Sequence, residues 1–536
     1  MQSEVSMRLK VVLSTPEMLK SNLPRHLCDA NYKGGLGKLA GCFERGLADM
    51  AGIESVSFMP LYREDWHNRD IVFDYRKELG EPWRTVTAYA YGNEFPVSIW
   101  DLSQSSQKSF GMASPAFKVL YVEDRKWRLI MELVYAQALP KFLGELGFRP
   151  DVFWANESHT AFTIPCMREN PYFGDFATLF TIHTPEESGM EKFYGERYES
   201  LGMPDRYRDT IIHGGVIDLT RTAMAYADAV NAVSEEHGDV TRRKFPEHAE
   251  KITHITNGTD IRFWRNPHLA HHAGYGSHAS DEALLNAHAR MREQSLKFVE
   301  ERTGSKLDPA KPTAWFVRRF QQYKNLHPFL APILPAICAD RGVRVATEEL
   351  GELMGLGMQI VGAGRAPETD RECLWWMQDF GRMAANGLKD RLAFMPDYRL
   401  DILLAGVQGA DLWIVTPQPG REACGTSDRD AAHNGIPSVA SHTGGMKEWI
   451  TEFNPNTYEG NGFFIEPYTK RTLYEKLRAF SDLWYAWREH GDRAYVRLQQ
   501  NVLNASPALD IRPALAKYER IFWNIIARKR GNGHGC

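Results

Sequence analysis

Two doubly wound α/β domains with parallel sheets, facing each other across a cleft, are the fold this sequence predicts. Three observations carry that expectation. Short apolar runs alternate with longer amphipathic stretches, as in a parallel sheet covered by helices. The alternation breaks once, in the charged segment 300–312 with its glycine and two prolines, and then restarts. The chain, at 536 residues, is also too long for one ordinary core.

The elements follow in order. Residues 9–13 are rich in β-branched side chains and predict a strand, 34–50 a glycine-opened helix, and 56–59 a second strand. Residues 151–154 and 177–182 read as further buried strands, each running into a polar loop. Helical spacing from residue 221 leads into a strand at 229–233. After the break, strands are expected at 313–317, 358–362, 392–395, 412–415 and 437–440, and 513–530 as an amphipathic helix packing back on the first half. The expected domains are 1–305, 306–510 and a C-terminal helix, 511–536. Ligands of such sheets sit outside the carboxyl ends of the strands.

Composition narrows the function. With 43% hydrophobic and 25% charged residues the chain reads as globular, and its net charge of −4 gives no reason to expect nucleic acid or acidic lipid as a partner. Seven scattered cysteines (Cys28, Cys42, Cys166, Cys338, Cys373, Cys424, Cys536) include no Cys-x-x-Cys pair, which argues against a disulfide framework or zinc cage. Neither a signal-type apolar run in residues 1–10 nor an uninterrupted membrane-length stretch occurs. The expectation is a cytoplasmic protein without a membrane partner, its oligomeric state left open.

Several residues could carry chemistry. Lys33-Gly34-Gly35-Leu36-Gly37-Lys38 opens a helix, where glycines let the backbone approach a phosphate and the helix start offers unbonded amides. Arg319 and Lys324 stand five residues apart at a strand end. A departing diphosphate needs at least two such fixed cations, and Arg318 is expected to face away. Tyr398 follows another strand, where a packed surface tyrosine and a ligand-stacking one are both open readings. No Asp-x-Asp in a suitable setting occurs, so no metal is expected, and Asp370-Arg371-Glu372 reads as a helix start.

These motifs, in this order, resemble two related families. Gly34-Gly35-Leu36-Gly37-Lys38-Leu39-Ala40, Asn156-Glu157-Ser158-His159-Thr160-Ala161-Phe162, Thr181-Ile182-His183-Thr184-Pro185 and Thr256-Asn257-Gly258 resemble segments of short, archaeal-type α-glucan phosphorylases. The first is also similar to the glycine loop of glycogen and starch synthases, whose lysine falls on Tyr32, one place before Lys33. Glu422-Ala423-Cys424-Gly425-Thr426-Ser427 resembles the phosphorylase sugar-holding loop, and the lysine that carries pyridoxal phosphate there falls on Asp430. Glu422 and Asp430 instead resemble the Glu-x7-Glu signature of retaining nucleotide-sugar transferases. Gly435-Ile436-Pro437-Ser438-Val439 and Thr443-Gly444-Gly445 resemble the synthases rather than the phosphorylases.

The resemblance spans roughly residues 9–449 and implies the GT-B architecture, with the first domain on the acceptor side and the second on the donor side. It implies a retaining glycosyltransferase that moves a sugar from a nucleotide diphosphate sugar to a carbohydrate or small-molecule acceptor, at a hydroxyl or thiol, without pyridoxal phosphate. Arg319, Lys324, Glu422 and His183 would be catalytic. Gly34, Gly35, Gly37, Asn257, Tyr398, Ala423, Cys424, Gly425, Thr426 and Asp430 would bind the donor, with Asp430, two turns into a helix, on the ribose and Glu422, in the loop before that helix, on the sugar. Glu157 and His159 would face the acceptor. The alternatives are a pyridoxal-free phosphorylase and a non-catalytic sugar or nucleotide binder.

Overall fold

A computed structural model describes residues 8–65, 69–184, 186, 189–270 and 280–532. Pro185 of the histidine segment, most of the first ten residues and the C-terminal tail from 533, with Cys536, lie outside the described residues. The chain divides into two compact units, Met1–Asn257 with Ile511–Cys536, and Gly258–Asp510.

The first unit is built on a nine-stranded sheet. In chain order come β1 (Leu9–Ser14), β2 (Ile53–Leu61), β3 (Arg84–Ala90), β4 (Asn93–Asp101), β5 (Lys108–Ala113), β6 (Val152–Asn156) and β7 (Ala177–Ile182). A small antiparallel sheet of β8 (Lys192–Tyr194), β9 (Ile212–His213) and β10 (Val216–Asp218) follows, then β11 (Ala229–Ala232) and β12 (Ile252–His254). The large sheet runs β12-β11-β7-β6-β1-β2-β5-β4-β3. It is parallel from β12 to β5, and β4 and β3 are added antiparallel. Strands β6 and β7 are buried along their whole length, which is why they read as unbroken apolar runs.

The β3–β4 hairpin turns on Tyr91 and Gly92, both at positive φ (51° and 74°), the pattern of a two-residue type I′ turn. Its outer edge is closed by the helix Arg125–Glu145. The Gln137 side-chain amide accepts from Tyr89 N at 2.9 Å and donates to Tyr89 O at 2.7 Å. An edge covered in this way cannot template another strand. The helix Ile511–Asn532 also packs on this unit: the Tyr518 ring lies 4.4 Å from that of Trp154, and its hydroxyl accepts from Asn231 Nδ2 at 2.8 Å.

The second unit holds β13 (Thr313–Arg319), a hairpin of β14 (Arg344–Thr347) and β15 (Gly351–Met354), β16 (Gln359–Arg365), β17 (Leu392–Met395), β18 (Leu412–Val415), β19 (Ser438–Ser441) and β20 (Phe463–Ile465). Its sheet is ordered β17-β16-β13-β18-β19-β20 and is parallel throughout. The chain builds outward from β13 in one direction and then returns to build in the other. The switch point therefore lies between β13 and β18, and in the first unit, by the same reasoning, between β1 and β6.

The unit boundary differs from the sequence expectation of 305/306. The helix Asp281–Thr303 belongs to the second unit because its side chains end on that unit's sheet. Its His288 and Arg292 bond the buried Asp411 at 3.1 and 2.8 Å, and Asp411 also accepts from Thr313 N at 2.7 Å. Gly409 lets the helix approach closely, since a Cβ there would fall 2.3 Å from Ser295 Cβ. The charged 300–312 segment is thus a connection inside the second unit.

Candidate functional site

At the switch point of the second unit, the loop after β13 carries Lys324 and the loop after β18 carries Glu422. Gln418 N donates to Tyr323 O at 2.8 Å and Thr416 Oγ1 to Lys324 O at 3.2 Å, fastening the loops together. Lys324 Nζ donates to Glu422 Oε2 in a short ion pair, and Arg318 Nη2 lies 4.0 Å from the same oxygen. Burial brings the Lys324 ammonium down from 10.5 to about 8, against the pull of Glu422 and aided by Arg318 and Arg319. Burial pushes the Glu422 carboxyl up, but Lys324, Arg318 and Arg319 outweigh it and hold the group below its ordinary value. Three cations around one carboxylate leave an excess of positive charge, suited to an anion.

Arg318 does not face away as the sequence suggested. It is 6% exposed and turned toward Glu422, while its neighbour Arg319 is half-buried. Strand β13 is buried on both faces at Arg318, so residue alternation offered no way to sort the two arginines.

In the loop after Glu422, Ala423, Cys424 and Thr426 are buried, with Gly425 partly so. Their floor is the Thr443–Gly445 triplet. Gly444 sits at φ 56°, where a Cβ would fall 2.5 Å from Glu422 O, and one at Gly445 would fall 2.4 Å from Cys424 Sγ. Thr443 Oγ1 accepts from Gly420 N at 2.8 Å. Arg429, wholly enclosed, fastens the two sides by donating to Gly425 O at 2.9 Å and Gly445 O at 3.0 Å. The synthase-like glycines are therefore demanded by close backbone approach.

Asp430 is the fourth of six residues in the helix Ser427–Ala432 and is wholly buried. It stands one turn into the helix, where two turns were expected. Tyr398 is half-buried after β17, two strands from the switch point.

In the first unit, the helix Gly35–Ala48 begins at Gly34 with no side-chain cap. Gly37 is required there, since a Cβ would fall 2.6 Å from Tyr32 Cβ and 2.9 Å from Glu17 Oε2. Lys33 is buried, its ammonium spent on Leu120 O and its amide on Glu17. Asn257 ends the unit with its amide on Val233 O at 3.2 Å and its side-chain Oδ1 buried without a hydrogen-bond partner.

Glu157 follows β6 at φ 63°, ψ 161°, a backbone region costing a non-glycine residue about 1–3 kcal/mol. Its carboxylate accepts from His183 N at 2.8 Å. Burial nevertheless pushes it up to about 8, so at neutral pH it carries a proton. His183 shares Nε2 with Asn156 Oδ1 at 2.9 Å, and burial lowers it to about 3, leaving the ring neutral. His159 is likewise lowered to about 3, by burial and then by Arg128.

His159, Glu132 and Glu191 bring ligand-type atoms within 4.8 Å of one another. Arg128 already occupies that cluster, 3.4 Å from Glu132 and 2.9 Å from Glu191, and supplies the positive charge a cation would bring. Burial opposes the charge on Glu191, yet Arg128, His159 and Arg125 hold it at about 2. Sequence reasoning missed Glu17, Arg128, Glu191 and Arg429. Each is an ordinary charged residue in its own segment, meaningful only through partners distant in the chain.

With this geometry in view, comparisons with known proteins become informative. The starch synthase catalytic domain model matches residues 30–254. The glycogen synthase of Lactococcus lactis subsp. lactis is 24% identical, covering 83% of this chain and 88% of that protein. The catalytic domain of starch synthase IV from Arabidopsis thaliana, solved bound to ADP and acarbose, superposes with a TM-score of 0.73 at 16% identity, covering 97% of this chain and all of that one. The chain has the GT-B fold of that structure and is similar in sequence to glycogen synthases. The relationship extends to phosphorylases: the glycogen phosphorylase of Aquifex aeolicus is 24% identical, covering 93% of this chain and 84% of that protein. No helix among the described residues is long and apolar enough to cross a membrane.

Proposed function

We propose that this protein transfers a glycosyl group from a nucleotide diphosphate sugar to an acceptor hydroxyl or thiol, with retention at the anomeric carbon. The observation that carries the reading is the Lys324–Glu422 pair, buried at the switch point beside Arg318 and under the influence of the Arg319 charge. Lys324 and Glu422 satisfy one another. A bound donor would separate them, Lys324 and Arg319 taking the diphosphate and Glu422 the sugar hydroxyls.

As the bond from the anomeric carbon to the phosphate oxygen breaks, negative charge grows on the diphosphate, where these preorganised cations stabilise it. The acceptor oxygen or sulfur forms the new bond on the same face, and its proton passes to the departing phosphate oxygen, so no separate protein base is needed. An aspartate at 430 offers no amine for a pyridoxal Schiff base. The proposal gives Asp430 the ribose, Tyr398 the base, the Gly34, Gly35 and Gly37 amides an anion-binding role, and Glu157 and His159 the acceptor side.

Thermal unfolding with separate additions of UDP, GDP, ADP, orthophosphate and pyridoxal phosphate tests the reading. At about 100 times its dissociation constant a ligand adds roughly 2.7 kcal/mol. A selective rise with one nucleoside diphosphate is expected and names the base. A rise with orthophosphate or pyridoxal phosphate alone would overturn the transferase reading in favour of a phosphorylase.

A further inference from the structure

The ion pair at the centre of the site poses a problem for catalysis. Lys324 and Glu422 neutralise one another while buried, yet the proposed reaction needs Lys324 on the diphosphate and Glu422, still charged, on the sugar. Moving the ammonium away strips a buried carboxylate of its nearest counter-ion, and a buried charge left uncompensated is strongly unfavourable. Some other group must keep the carboxylate ionised.

Arg318 is placed to do so. Its Nη2 lies 4.0 Å from Glu422 Oε2, the same oxygen that Lys324 holds. Its side chain is 6% exposed, and its Nη1 is buried without a hydrogen-bond partner, an unusual state for a guanidinium. Gly425 lies against it, since a Cβ there would come 3.7 Å from Nη2. The backbone of Arg318 is fixed by pairing with Gly364 on β16. A charge-assisted hydrogen bond spans about 2.7–2.9 Å, so a shift of roughly 1 Å would seat the guanidinium on the carboxylate.

We infer that Arg318 is a positioning residue that takes over Glu422 when Lys324 transfers to the donor's diphosphate. The charged groups facing Glu422 are Lys324, Arg318 and Arg319. In this exchange Arg319 and Lys324 go to the anion, and Arg318 stays with the carboxylate. The inference rests on the donor reading above and adds to it how the sugar-holding group remains ionised through the exchange.

The experiment is calorimetric titration of the full chain with UDP, GDP or ADP at pH 7, in buffers of different ionisation enthalpy, which gives both affinity and protons exchanged. In Arg318→Met, departure of Lys324 should force Glu422 to take up a proton. The variant is expected to bind at least tenfold more weakly than wild type, with nearly one extra proton taken up per nucleotide. Arg318→Lys should restore both values toward wild type. In a Glu422→Gln background the effect of Arg318→Met should vanish, a pattern that a purely structural arginine would not produce. Wild-type binding with no nucleoside diphosphate overturns the donor reading and this inference with it. Normal wild-type binding overturns the exchange alone if Arg318→Met binds equally without extra proton uptake, or if its defect persists beside Glu422→Gln.

Discussion

Lys324→Ala is expected to reduce turnover by about 10²–10³-fold, the scale for losing one preorganised group that stabilises developing charge. Glu422→Ala should cost at least as much, for a different reason. It removes the group proposed to hold the sugar and leaves Arg318, Arg319 and Lys324 facing one another without a carboxylate. The two variants should therefore differ in binding. Lys324→Ala weakens affinity for the free nucleoside diphosphate, while Glu422→Ala preserves or tightens it because the cations are no longer engaged. Both are read from initial rates and calorimetry.

The wild-type pH profile carries the same signature. Lys324 holds its charge below about 8, so the free-enzyme kcat/KM should fall as pH rises through that value. The limb in kcat should lie higher, because bound phosphate favours the ammonium. Near-wild-type rates in both variants would remove this pair from the site.

The second large effect lies in the framework. Asp411→Ala should destabilise the second unit by about 3–5 kcal/mol, the range for breaking a buried ion pair by removing one partner. Asp411 is wholly buried and accepts from Arg292, His288 and Thr313 N, so the variant leaves a buried guanidinium uncompensated and unfastens the helix Asp281–Thr303 from the entrance of β13. Burial alone would raise the Asp411 carboxyl, but Arg292, then His288 and the amide, bring it down to about 2. Its folded value lies below its unfolded one, near 3.9. Its contribution to stability is thus complete above about pH 4 and is lost as pH falls toward 2. Urea unfolding of the full chain at pH 7 and pH 3 should show wild type and variant converging at the lower pH. A constant gap between them would mean that Asp411 acts through packing alone.

How much of this was legible in the sequence depends on the range of the interaction. Strands β7, β17 and β18 were visible to the residue because buried parallel strands are short apolar runs with polar ends. The hairpin of β3 and β4 was not, since its faces are half-exposed and its signal is the backbone geometry of Tyr91-Gly92. The 300–312 segment looked like a linker by composition. What decides its place is the bonding of Arg292 and His288 to Asp411, more than a hundred residues away.

The site divides the same way. Lys324 and Glu422 were found because each sits in a local motif, and the structure brings them together. Arg318 was misjudged because a strand buried on both faces gives adjacent residues no distinct label, and its orientation is set by Glu422 from the other side of the sheet's switch point. The strain at Glu157 and the enclosure of His159 by Arg128 arise from three-dimensional packing and leave no trace in residue spacing.

The most direct test of the central claim is a product assay with nucleotide-activated α-D-glucose, using UDP, GDP and ADP forms, and with maltooligosaccharides and small hydroxyl or thiol compounds as acceptors. Nucleoside diphosphate release and the anomeric configuration of the product would be followed by proton NMR. The account predicts release from one nucleotide form, with an α-linked product in equal amount. Absence of release from all three, with glucose 1-phosphate formed from maltooligosaccharide and orthophosphate, would contradict it.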